Sequence, residues 1–154
     1  MRYWLMKSEP DEFSIDDLLA APGRRSAWSG VRNYQARNFM RDEMRKGDLG
    51  FFYHSSCAEP AIVGTVKIAR EAYPDHTAFD SQDKHFDSKS DPHSPRWFMV
   101  DVKLVEKFDS PITLKTLKHY ENSALAGLRL LARGNRLSVM PIAGDHWDFI
   151  LSLR

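Results

Sequence analysis

Four aromatic residues stand beside polar side chains in this sequence, a combination that recognition of a nucleobase requires. They are Trp28, Tyr34, Tyr53 and Trp97, with Ser29, Asn33, His54 and Arg96 among their neighbours. A flat ring stacks on a base, at roughly 1 to 3 kcal/mol per stacked base, while nearby donors and acceptors identify the base by its edge. We predict an aromatic pocket because these residues coincide with a basic segment; any one of them alone is more often core packing.

Charge is segregated along the chain, although the net charge is only +1. Residues 23–46 carry seven basic and two acidic side chains, whereas residues 75–91 carry five aspartates and two lysines. A further basic cluster consists of Arg129, Arg133 and Arg136. The small net charge argues against a protein that coats nucleic acid, and the segregation favours a directional anionic partner. The alternative is a solvated helix face balanced by an acidic loop.

Two other groups of residues could perform catalysis. Lys7 and Glu9 share one face of a predicted strand and could act as a nucleophile or an acid/base pair. Such neighbours most often form a surface ion pair. Cys57 follows His54 by three residues, but the sequence offers no third group to orient the pair. We therefore predict a binding protein and keep the Lys7 chemistry as the alternative.

Neither a metal nor a cofactor is expected. His76, His85 and His93 have spacings that fit no zinc motif, and the eight glycines form no phosphate-binding loop. The single cysteine, Cys57, fits a reducing compartment. Residues 1–7 resemble neither a signal peptide nor a membrane span. We expect a cytoplasmic protein, or a nuclear one in a eukaryote, with no membrane partner.

Alternation and capping signals predict the elements that position these residues. The predicted strands are Tyr3–Glu9, Leu49–His54, Ile62–Ala69, Phe98–Glu106 and Leu137–Ile142. The predicted helices are Ser14–Leu19, Asn33–Met44, one that begins at Thr113, Leu125–Leu131 and Asp145–Leu151. Gly64 indicates a bulge, Trp28 falls in a loop, and the polar segment Asp80–Pro95 forms a long loop suited to a lid or rim.

This order of elements predicts a single α+β domain over residues 1–154, built on a mixed sheet. The pattern leaves open whether the sheet closes into a barrel.

Five blocks of the sequence resemble those of the EVE domain family. They are MKSEP (6–10), WSGVRNYQARN (28–38), GDLGFFYHS (47–55), YPD (73–75) and RLSVMPI (136–142). They occur in family order across nearly the whole chain, which is far more specific than one short motif. The resemblance implies a PUA-like fold, related to YTH modules, with a mixed sheet curled into a partial barrel and surrounding helices. It also implies a pocket for a modified base in DNA or RNA.

The resemblance implies particular site residues as well. The pocket would be walled by Trp28, Tyr34 and Trp97, with polar edges from Lys7, Ser8, Asn33, Tyr53, His54, Arg136 and Ser138. Phosphates would be met by Arg32, Arg37 and Arg41, a role that needs no readout of sequence. The expected partner is therefore nucleic acid carrying a modified base, with no cofactor, and any effector activity would belong to a separate protein.

Two other functions stay open. The PUA-like superfamily includes pyrimidine amidohydrolases with a pocket lysine, a role that Lys7 with Glu9 could fill. The aromatic groove could instead accept a peptide, but this interpretation leaves the basic segment unexplained.

Overall fold

Six strands form one mixed sheet in the computed structural model, which describes residues 1–154. The strands are β1 (Tyr3–Ser8), β2 (Arg25–Trp28), β3 (Leu49–His54), β4 (Ala61–Pro74), β5 (Phe98–Thr113) and β6 (Val139–Ile142). Their order across the sheet is β2-β5-β4-β3-β1-β6. Only β1 and β3 are parallel, with Tyr3 opposite Leu49 and Ser8 opposite His54. The carboxyl ends of these two strands therefore meet at one edge of the sheet.

Four short helices surround the sheet. They are α1 (Ile15–Ala20), α2 (Tyr34–Asn38), α3 (Leu114–Lys118) and α4 (Gly144–Ser152). A π-helical turn over Phe39–Glu43 continues α2. Shorter 3-10 turns occupy Pro22–Arg24, His76–Phe79 and Arg129–Leu131. No helix combines the length and the apolar character that crossing a bilayer demands. The predicted α+β class is confirmed.

The sheet curls strongly without closing. Strand β2 lies at one edge, three strands away from β3, yet the Trp28 ring of β2 contacts the Phe52 ring of β3 with 5.2 Å between centroids. Repeated register shifts between β4 and β5 permit this bend. One shift falls between Ile62 and Gly64, which confirms the predicted bulge. A Cβ at Gly64 would lie 2.3 Å from the carbonyl oxygen of Glu106, so only glycine fits this close approach. The result is a partial barrel.

Apolar residues are buried on both faces of the sheet. One cluster of 17 buried residues includes Trp28 and Phe52 and is covered by α1 and α2. The other cluster, of 14 buried residues, includes Phe51 and Tyr53 and is covered by α3 and α4. Because successive side chains of a strand point to opposite faces, β3 contributes to both cores.

Side-chain caps fix the starts of α1 and α2. Ser14 forms a capping box with Asp17, as predicted. The N–H of Ile15 donates to Nε2 of His54 at 3.1 Å, which ties α1 to the end of β3. Asn33 caps α2, and its predicted stripe of Ala36, Met40 and Met44 is fully buried.

Three sequence-based assignments are wrong. Trp28 ends strand β2 rather than lying in a loop. The segment Leu125–Leu131 forms turns because Gly127 adopts a φ of 84°, which a right-handed helix excludes. Helix α4 begins at Gly144, so Asp145 lies in its first turn and Ala143 takes the N-cap position.

Candidate functional site

A cavity of about 830 Å³ opens beside the carboxyl ends of β1 and β2, within the usual range for sites of small ligands. Six parts of the chain line it. They are residues 7–9, 12–13, 26–33, 55–56 and 83–85, together with the pair Arg136 and Ser138. We call it the β1–β2 cavity. Six predicted pocket residues line it: Lys7, Ser8, Trp28, Asn33, Arg136 and Ser138. Side chains that are distant in sequence thus share one space.

Backbone hydrogen bonds hold the walls of the cavity together. The N–H of Lys7 donates to the carbonyl of Ser138 at 2.8 Å, which joins β1 to the segment before β6. The N–H of Ser55 donates to the carbonyl of Ser8 at 3.0 Å. The Ser8 hydroxyl donates to the carbonyl of Phe13 at 2.6 Å. Four segments of the lining are therefore joined to one another by these hydrogen bonds.

The aromatic part of the lining, Trp28 and Phe13, packs on the core residue Phe52. Trp28 packs edge to face on Phe52, and Phe13 stacks on the same Phe52 ring with 6.4 Å between centroids. Trp28 is only 6% exposed, so it presents a small part of its surface to the cavity and also belongs to the core.

Asn33 uses only the oxygen of its side-chain amide for hydrogen bonds within the protein. Its Oδ1 accepts the N–H of Ala36 at 3.0 Å as the cap of α2. The amide NH2 has no partner in the structure and belongs to a side chain that lines the β1–β2 cavity. Asn33 thus offers a donor that the helix itself positions.

Asp75 anchors the segment that runs from Trp28 to Asn33. Its carboxylate is fully buried and accepts hydrogen bonds from the Gly30 N–H at 2.8 Å, from Thr77 and from Arg32 at 3.0 Å. Burial alone would raise the pKa of Asp75, but the hydrogen bonds from Thr77, Gly30 and Arg32 outweigh burial and hold that pKa below its ordinary value. The carboxylate is therefore charged, and it fixes one wall of the cavity.

The predicted loop Asp80–Pro95 has no helix or strand and supplies part of the rim. The His85 carbonyl accepts two hydrogen bonds from the Arg32 guanidinium, at 2.8 and 3.0 Å. The His85 ring lies against Gly30, where a Cβ would approach to 2.8 Å. Lys84 pairs with Glu12, which also lines the cavity. The loop is thus tied to two other segments of the lining.

Two cations of the lining lack an acidic partner. Lys7 and Arg136 form no salt bridge, whereas Arg32 pairs with Asp75 and Lys84 with Glu12. Burial lowers the pKa of the Lys7 ammonium. Arg136 is exposed at the rim of the cavity. Glu9 of the lining is likewise without a salt bridge, so the lining presents unpaired groups of both signs to a ligand.

Four predicted pocket residues do not line the β1–β2 cavity. Tyr53 faces the other core beside Phe51, and burial raises its pKa to about 12. His54 uses its Nε2 to accept the N–H of Ile15. The other two, Tyr34 and Trp97, stack on each other outside the lining, with 4.8 Å between centroids.

The three arginines predicted to contact phosphates all have internal partners. Arg32 donates to Asp75, Thr77 and the carbonyl of His85. Arg37 donates to Asn38 and to the carbonyl of Arg96, and Arg41 pairs with Asp42. Of the three, only Arg32 lines the β1–β2 cavity.

Sequence reasoning missed Phe13, Asp75 and His85 as parts of this site. Asp75 closes the YPD block, so the block indicated its importance but not its contacts. Phe13 and His85 stand in no sharp motif, so the sequence alone does not single them out as site residues. No group of three His, Cys, Asp or Glu side chains is placed to hold a metal ion.

Comparison with known protein families identifies the family of this chain. The EVE domain family matches residues 2–153, and the chain belongs to this family. The predicted PUA-like relationship is thereby confirmed.

Individual relatives are similar over nearly the full chain. Thymocyte nuclear protein 1 of Gallus gallus is 46% identical over 98% of this chain and 68% of its own length. The Homo sapiens protein of that name is 45% identical, over 98% of this chain and 73% of its own length. These relatives therefore contain residues beyond the region that the chain matches.

Solved structures show the same architecture. Human THYN1 in complex with 5-methylcytosine-containing DNA superposes with a TM-score of 0.95 at 45% identity, covering 99% of this chain and 97% of the other. A Pseudomonas syringae protein gives a TM-score of 0.92 at 50% identity, with 98% of each chain covered. An ASCH protein of Zymomonas mobilis, at 10% identity and a TM-score of 0.55, shares the fold alone.

Proposed function

We propose that this domain binds DNA carrying a modified base, without catalysing a reaction, and holds that base in the β1–β2 cavity. The cavity carries the proposal, because six of the predicted side chains, from three segments of the chain, line one space that also contains aromatic and polar groups. We take 5-methylcytosine as the modified base because human THYN1, whose fold matches this chain throughout, forms a complex with DNA that contains it.

Entry of a base into the cavity requires that the base leave the duplex. Proteins that extrude a base compensate the lost stacking with contacts to its face and its edge. Trp28 and Phe13 supply apolar surface for the face and for a 5-methyl group. The free amide NH2 of Asn33 supplies a donor for an acceptor on the edge of the base.

Phosphates of the bound strand would contact cations other than those predicted from sequence. Arg136 is exposed at the rim and unpaired, and Arg129 and Arg133 of the same basic cluster are exposed as well. Contacts of this kind position the DNA without reading its sequence. A DNA ligand would place the working protein in the cytoplasm of a bacterium or the nucleus of a eukaryote, and any reaction on the DNA would belong to a separate effector.

A paired titration tests this function. Fluorescence anisotropy would compare a duplex containing one 5-methylcytosine with its unmethylated twin at two salt concentrations. Both affinities fall as salt rises, since phosphate contacts release counterions. We expect the preference for the methylated duplex to persist at both salt concentrations, because stacking and edge contacts involve no counterion release. Equal affinity for the two duplexes would reject the proposal.

A second candidate function rests on Lys7. Its pKa is lowered by burial, and it lines the same cavity as Glu9, an arrangement that suits hydrolysis of a modified pyrimidine. The test is to incubate the protein with modified pyrimidine nucleosides and to analyse the products. Release of a deaminated or deacylated nucleoside by the native protein, but not by Lys7→Ala, would establish an amidohydrolase in place of a reader.

A further inference from the structure

Tyr34 presents an aromatic surface to solvent just outside the β1–β2 cavity. It is 53% exposed, although one face of its ring stacks on Trp97 at an interplanar angle of 25°. Trp97 is 6% exposed, and its Nε1 donates to Oδ2 of Asp87 at 2.7 Å. The stack is therefore anchored from beneath, and its outer ring is accessible.

Trp97 is the only aromatic ring that packs on Tyr34. The Arg37 guanidinium carbon lies 4.8 Å from the centroid of Tyr34 and 6.0 Å from that of Trp97. If Arg37 covered the face opposite Trp97, its distance to Trp97 would be nearly twice its distance to Tyr34. The guanidinium therefore does not lie directly opposite Trp97 across the Tyr34 ring, and its hydrogen bonds to Asn38 and to the Arg96 carbonyl hold it in place.

The position of Tyr34 suits the nucleotide next to an extruded base. Tyr34 directly follows Asn33, which lines the cavity, and adjacent Cα atoms are about 3.8 Å apart. Successive nucleotides of a strand are spaced by about 3.4 Å along the duplex axis. Tyr34 thus borders the cavity in sequence, and the base next to an extruded one is the part of the strand that its exposed ring would meet.

The charge around the stack also favours a base. Arg32 lies 5.4 Å from the Trp97 centroid, and Arg37 flanks Tyr34. Aromatic rings combined with flanking cations are the usual platform for bases of a polyanionic strand.

We propose that the outer face of Tyr34 stacks on the nucleobase adjacent to the extruded one, with Trp97 as its support. This inference rests on the proposed function, because it assumes that the modified base enters the β1–β2 cavity. It adds a second contact, which would serve affinity for the strand rather than recognition of the methyl group.

The test compares Tyr34→Ala with Tyr34→Phe, which keeps the ring and loses only the hydroxyl. The DNA probe is a 5-methylcytosine duplex with 2-aminopurine next to the modified base, and its unmethylated twin is titrated in parallel. For Tyr34→Ala we expect affinity for both duplexes to fall by roughly 5- to 150-fold, the loss of one stacked base. The methylated-to-unmethylated ratio should stay as in the native protein, and Tyr34→Phe should bind as the native protein does.

The 2-aminopurine signal reports on the stack itself. Binding of the native protein and of Tyr34→Phe should quench this fluorescence, whereas Tyr34→Ala at saturating protein should not. If Tyr34→Ala bound the DNA with native affinity and quenched the 2-aminopurine fluorescence, the proposal that Tyr34 stacks on the adjacent base would be overturned. A native protein without preference for the methylated duplex would instead refute the proposed function, and the Tyr34 comparison would then show only whether the ring binds unmodified strands. Thermal unfolding of each variant checks that an affinity loss does not come from misfolding.

Discussion

Asn33 performs two separable tasks with one side chain. Its Oδ1 caps α2, and its NH2 is free for a ligand in the cavity. Serine is an N-cap of similar strength but has no amide donor. Asn33→Ser should therefore leave the free energy of unfolding nearly unchanged and weaken binding of methylated DNA by about two- to tenfold, the value of one hydrogen bond. Denaturant unfolding and anisotropy titration measure the two quantities.

Asn33→Ala is the control for that experiment. It removes the cap as well as the donor, so the free energy of unfolding should fall by about 1 kcal/mol while the loss of binding matches that of Asn33→Ser. Native binding by Asn33→Ser would remove the amide from the proposed site.

At the scale of elements, the buried carboxylate of Asp75 holds the connection between β2 and α2 against the loop Asp80–Pro95. Asp75→Asn would leave the Arg32 charge without its partner. We expect the free energy of unfolding to fall by about 3 kcal/mol, the low end for breaking a buried pair, because a fifth of the Arg32 side chain is exposed (21%). Hydrogen exchange in the loop should accelerate.

Asp42→Asn is the matched control, since Asp42 pairs with Arg41 on the surface and exposed pairs contribute little. Equal stability losses in Asp42→Asn and Asp75→Asn would contradict the anchoring role of Asp75.

The contact between His54 and α1 makes stability depend on pH. Burial lowers the pKa of His54, and its Nε2 must be unprotonated to accept the Ile15 N–H. Below the unfolded pKa, about 6.5, the unfolded chain binds more protons than the folded one. The free energy of unfolding therefore decreases as pH falls from about 6.5 to the lower folded pKa.

His54→Gln keeps an acceptor near this position without titrating. Urea unfolding between pH 7 and pH 5 should show a shallower pH dependence for the variant than for the native protein. The other histidines contribute to both proteins and cancel in the difference. Parallel curves would mean that His54 is not the titrating group.

For the whole molecule, local patterns predicted the α+β class of the fold, whereas the predicted pocket residues follow from the resemblance to the EVE domain family. Capping by Ser14 and Asn33 and the bulge at Gly64 follow from residue type and spacing. Tyr53 was expected to line the pocket but faces the other core. The alternation that identifies a strand does not say which of its two faces meets the ligand. Contacts between distant segments, such as Tyr34 with Trp97, have no local signal at all.

If the modified base occupies the cavity lined by Trp28 and Phe13, its 5-methyl group lies close to these two rings, and methyl-specific NMR detects that proximity. A duplex with a ¹³C-labelled methyl group on its single 5-methylcytosine would be bound to the protein, and intermolecular NOEs from that methyl group would be recorded. We expect NOEs to ring protons of Trp28 or Phe13. NOEs to Tyr34 alone, or no protein NOEs from this methyl group in a saturated complex, would contradict this position of the base.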